Sequence, residues 1–117
     1  MAISVNVNGR DVKFEASDVQ LLFSAGRAQQ WGQYPNLRWT ADKDYKVIFV
    51  SHAAWNGAST PSISGCSWAK TTSSTCHKGP RGDGYSAVSC VAVNVPKGTS
   101  VSASETIASH LHIFGIE

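Results

Sequence analysis

Ser86-Ala-Val-Ser-Cys-Val-Ala-Val-Asn-Val95, Pro96-Lys-Gly-Thr99 and Ser100-Val-Ser-Ala103 follow one another in the last third of the chain. Apolar and polar residues alternate on both sides of a Pro-Lys-Gly turn, which is the period of a strand with one covered face. A last apolar stretch, Ile107 to Ile116, predicts a closing strand in the core. The segment therefore predicts an all-β chain. It names no reaction.

The signal repeats toward the N-terminus. Ile3, Val5 and Val7 alternate with polar residues up to Asn8-Gly9, and Val12 and Phe14 follow. Asn-Gly between alternating runs predicts a hairpin, because both central residues of a type I′ turn need positive φ. Val19–Phe23 fits either a strand or one helical turn. Residues 27–36 read as a loop broken by Gly32 and Pro35. Leu37–Thr40 predicts a short strand and Ala41–Asp44 a polar turn. Tyr45–Val50 predicts a central strand covered on both faces. From Ser51 to Gly84 the pattern dissolves into Gly, Ser, Thr and Pro. That stretch is too long for plain loop, so short strands are expected near Ser62–Ser64 and Ser67–Lys70. The predicted core is Val47, Phe49, Val91, Val93, Leu111 and Ile113.

The 117 residues suit one domain, spanning 1–117. The composition is 42% hydrophobic and 15% charged, against a usual charged share of about 25%, which argues against disorder. A net charge of +2 without a Lys/Arg stripe argues against nucleic acid. No apolar run reaches the length of a membrane span. Met1–Val7 lacks a basic start and an apolar h-region, so the expectation is no signal peptide and synthesis in a host cytoplasm. Cys66, Cys76 and Cys90 are odd in number and read as free thiols in a reducing compartment. A Cys66–Cys76 bridge formed later would stabilise by about 2–3 kcal/mol.

Short strands with regular turn signals indicate an antiparallel β-sandwich, barrel or jelly roll with very little helix. The run Val95-Pro-Lys-Gly-Thr-Ser-Val101, followed by His110-Leu-His-Ile-Phe-Gly-Ile-Glu117, resembles the end of complement-head and tumour-necrosis-factor-like jelly rolls. The same ending, and Tyr45 to Asn56, are similar to C-terminal domains of bacteriophage tail and head fibres. The resemblance implies a single-domain jelly roll, a homotrimer, and contacts with other virion proteins or a host surface glycan. It carries over no catalytic residue. The expectation is a non-enzymatic virion module, such as a fibre, decoration or receptor-binding protein, with no cofactor. The alternative is a carbohydrate-binding module or lectin.

Candidate sites are few. Flat aromatics beside amides stack on sugar rings, which singles out Trp31, Tyr34, Trp55 and Asn56; the same aromatics also suit core or subunit packing. His110 and His112 project to one face of a strand, which suits a metal or merely a solvated face. Around a three-fold axis the pair would supply six nitrogens, and the fibre resemblance implies His-x-His iron sites of that kind. No metal is assigned. Cys66, Cys76, His77 and Cys90 lack a Cys-x2-Cys knuckle, and Arg81-Gly-Asp83 suits a tight turn as well as a recognition tip. No Gly-x-Ser-x-Gly elbow is present.

Overall fold

Ten antiparallel strands make up almost all of the regular structure in the computed structural model, which describes residues 2–26, 36–55, 57–75, 85–104 and 109–117. Strands β1 (Ala2–Val7) and β2 (Arg10–Glu15) form the N-terminal hairpin. Asn8 and Gly9 carry φ of 52° and 84°, the type I′ geometry that the Asn-Gly pair predicts. The Asn6 side chain fixes this turn: its amide donates to Asp11 at 2.9 Å, and its oxygen accepts from the Gly9 N–H at 3.2 Å. A 3-10 turn at Ala16–Asp18 leads into β3 (Gln20–Gly26), which settles Val19–Phe23 as largely strand.

The remaining strands are β4 (Arg38–Thr40), β5 (Tyr45–Trp55), β6 (Ser62–Ser64), β7 (Ser67–Thr75), β8 (Tyr85–Val95), β9 (Ser100–Ser102) and β10 (His110–Ile116). They build a five-stranded sheet in the order β3-β10-β5-β8-β7 and a three-stranded sheet in the order β4-β9-β6. The last strand lies between the first and third of the sandwich, and β9 lies between β4 and β6. This interleaving is the jelly-roll order, in two packed sheets. One strand departs from it. In a regular eight-stranded roll β7 would sit beside β6; here it pairs β8 at the edge of the larger sheet.

The Pro96–Thr99 turn joins two strands that are not partners. Gly98 has φ 94° and the Thr99 N–H donates to the Pro96 carbonyl at 3.1 Å, a type II turn. It carries the chain from β8 in one sheet to β9 in the other. Asp44 accepts from the Lys97 N–H at 2.8 Å, and Ala41 exchanges two backbone bonds with Gly98 and Thr99.

Strand β5 is central, and its first half is covered on both faces, as the composition of Tyr45–Val50 predicts. Ile48 and Val50 point into the sandwich, where they join Leu111, Ile113, Leu37, Ile63 and Val101. Val47 points the other way and packs with Val91, Val93 and Ile116 under Val7 and Phe14 of the hairpin. The molecule thus has three layers: hairpin, large sheet and small sheet. The predicted core residues divide between two cores, and five of the six are buried. Phe49 differs. It is only half-buried, because the hairpin covers the ring on one side through Phe14, at 5.8 Å and 64°, and leaves the other side open.

The unpatterned stretch also differs from expectation. β5 does not stop at Val50 but runs to Trp55, and β7 extends to Thr75. The inward positions of this extension are His52 and Ala54, both at 0% exposure. Neither carries a strong hydrophobic signal, so the alternation is invisible in the sequence. The predicted short strand Ser62–Ser64 is present as β6.

Candidate functional site

The most unusual surface is the outer face of the five-stranded sheet beyond the hairpin. Alternation along each strand decides what it displays. Strand β10 presents His110, His112 and Phe114, and β5 presents Phe49, Ser51, Ala53 and Trp55. Strand β8 adds Ser89 and Ala87, which lie opposite Ser51 and Ala53. Among the described residues of this face none is Asp, Glu, Lys or Arg. Leu21 and Phe114, cross-strand partners, are 58% and 40% exposed. Beside Phe114 lies an apolar notch of about 320 Å³, bounded by Val5, Phe49, Ser51, Thr71 and Ser89.

A bulge shapes the Leu21 edge. The β3–β10 register slips between Ile113 and Phe114, leaving Leu22 unpaired on β3. Leu22 turns inward over Gly115, where a Cβ would lie 2.5 Å from its Cδ1. The extra residue is what lets Leu21 face outward.

The two histidines form an ordered row on this face. Their rings are parallel to within 9°, with centroids 6.4 Å apart. His112 Nδ1 and the Ser24 hydroxyl are hydrogen-bonded at 2.9 Å. His110 lies over Gly26, and a Cβ there would sit on the imidazole, 1.8 Å from Nδ1. Burial holds the His110 pKa below the ordinary histidine value, and the neighbouring His112 lowers it further. Among the described residues no group of three or more His, Cys, Asp or Glu could hold a metal ion.

Trp55 is half-buried at the far end of the same face. Trp31, Tyr34 and Asn56 lie outside the described residues. The same holds for Cys76, His77 and Arg81-Gly-Asp83. Cys66 is half-buried and Cys90 is in the sandwich core; both are free thiols, and burial pushes both pKa values up.

Sequence reasoning missed the buried His52. Its Nδ1 donates to the Ser59 carbonyl at 2.8 Å, since a carbonyl only accepts, and its Nε2 meets the Ser109 hydroxyl at 2.8 Å. The Ser109 hydroxyl also lies 2.9 Å from the Ser104 carbonyl. The three groups stand in the order of a nucleophile, a base and an orienting group, but the one Ser109 proton goes to the Ser104 carbonyl and not to His52. Both side chains are also at 0% exposure, so no substrate carbonyl reaches the hydroxyl. The network instead ties β5 to the segments around Ser59, Ser104 and Ser109.

A charged cluster lies at the end of the sandwich where β10 finishes. Lys43 Nζ is 3.0 Å from Glu117, and Gln20 donates to the same carboxylate at 3.1 Å. The Tyr45 hydroxyl donates to Asp42 at 2.8 Å; burial and that carboxylate push the phenol pKa up to about 12. These groups neutralise one another and cap the end of β5.

The described residues define an all-β sandwich whose large sheet has an outer face that is free of charge and exposes Leu21 and Phe114. No family model, curated protein or solved structure matches the chain.

Proposed function

We propose that the chain is a non-enzymatic structural or binding module of a virion that assembles as a homotrimer through the outer face of its five-stranded sheet. One observation carries this reading: the face is free of charge among the described residues yet exposes Leu21 and Phe114 beside an apolar notch. Exposed apolar side chains on a flat, uncharged sheet are what subunit packing covers. Among the described residues the charges lie elsewhere: on the hairpin, around Lys43, Asp44 and Glu117, and at Asp18, Arg38, Lys46, Lys70 and Lys97. A second copy therefore meets this face without desolvating an ionised group or facing a like charge. The jelly-roll strand order, common among capsid and lectin domains, supports the virion setting by analogy of fold.

Sedimentation equilibrium tests the assembly. The expected mass is three times the 12.5 kDa chain over roughly 1–100 µM, with Phe114→Asp shifting it toward one chain. A monomer at every concentration refutes the reading. Trp55 on the same face supports a second reading, a surface for a host glycan. A glycan array probed with Trp55→Ala beside the parent decides it: saccharide binding lost in the variant supports that use.

A further inference from the structure

We propose that His110 and His112 make this face a pH-gated contact, holding copies of the chain together at neutral pH and releasing them in mild acid. The inference rests on the trimer reading and specifies how that contact is regulated. The histidine row is one residue pair along β10 from Phe114, so a copy that covers Phe114 and the notch also covers the imidazoles. Around them stand Ser24 and Gly26 from β3, and Ser51 and Ala53 from β5. Among the described residues none of these neighbours is titratable or charged. A protonated imidazole covered here meets no carboxylate among the described residues, and two protonated rings 6.4 Å apart repel. Covering the row therefore requires both rings to be neutral.

The direction follows from proton linkage. Burial already holds His110 below the ordinary histidine value, and a covering copy adds to that cause. Neutral rings are favoured in the assembled state, so association is complete above the ordinary value of about 6.5 and weakens as pH falls below it. The loss is about tenfold per pH unit for each histidine covered.

Sedimentation velocity over a concentration series at about pH 7.5 and about pH 5.5 tests this, with near-ultraviolet circular dichroism at both. For the parent chain the dissociation constant of the assembly is expected to rise by at least about 100-fold at the lower pH. For His110→Gln/His112→Gln, which keeps polar groups of similar size, the ratio between the two pH values should fall to within about threefold. Each single variant should remove part of the logarithmic effect. A trimer whose dissociation constant is the same at both pH values overturns the gate while leaving the assembly standing. A monomer at every pH overturns both readings. Loss of the fold at the lower pH in parent and variant alike places the sensitivity outside the histidine row and also overturns the gate.

Discussion

Leu111→Ala and Phe49→Ala should destabilise the protein unequally, although both residues read as core in the sequence. Leu111 is at 0% exposure near the start of β10, opposite Ala25 on one side and His52 on the other. Its strand is hydrogen-bonded on both edges, so the backbone has little freedom to collapse into the space left by three carbons. The cost belongs in the upper part of the Leu→Ala range, about 3.5–5 kcal/mol. Phe49 is half-buried, with one side of its ring facing the open notch. Truncating it loses the edge contact with Phe14 and part of the ring's buried area, but opens no closed cavity. About 1.5–3 kcal/mol follows. At roughly 4 °C per kcal/mol the melting temperatures should fall by about 14–20 °C and 6–12 °C respectively. Urea unfolding followed by far-ultraviolet circular dichroism measures both, at one protein concentration because association adds to apparent stability. A Leu111→Ala cost under about 1 kcal/mol, or a larger cost for Phe49→Ala, would refute the division into an enclosed core and a half-covered face.

Gly115→Ala places a methyl 2.5 Å from Leu22 Cδ1 and 3.2 Å from the Val47 carbonyl, and should cost about 1–3 kcal/mol. Adding Leu22→Ala should recover part of that loss in a double-mutant cycle, and purely additive costs would show that the bulge does not pack on Gly115. Hydrogen bonds from Lys43 and Gln20 hold the Glu117 carboxyl below the ordinary glutamate value. A depressed carboxylate stabilises above its unfolded value and loses that contribution as pH falls through its folded one, so the effect is full above about pH 4.3 and fades as pH falls from there through the lowered value. Lys43→Met should raise the Glu117 midpoint in an NMR titration; an unchanged midpoint would mean that the ion pair does not persist in solution.

Local chemistry made much of the architecture legible. Positive φ at Asn8, Gly9 and Gly98 is required by the turns they form, so those turns were readable from residue type alone. The alternation of Ser86–Val95 and the double-sided apolarity of Tyr45–Val50 gave strands, because a strand's period of two is written into the chain wherever one face is covered. The closing strand was legible for the same reason. The histidine pair was legible only as a shared face, since spacing says which side of a strand a residue takes but not what lies across from it.

What only the tertiary structure decided is which element covers which face. Val47 and Ile48 look alike in the sequence, yet one meets the hairpin and the other the small sheet. The continuation of β5 through His52 and Ala54 depends on Ser59 and Ser109 satisfying the imidazole, a condition spread over segments far apart in the chain. The place of β7 beside β8 rather than β6 is likewise a matter of long-range pairing. The N-terminal hairpin is shorter than the sheet it lies on, and beyond it Leu21 and Phe114 are exposed and the histidine row is half-buried. Composition and periodicity are sums over neighbours in sequence, whereas coverage is set by contacts between strands that the sequence holds far apart.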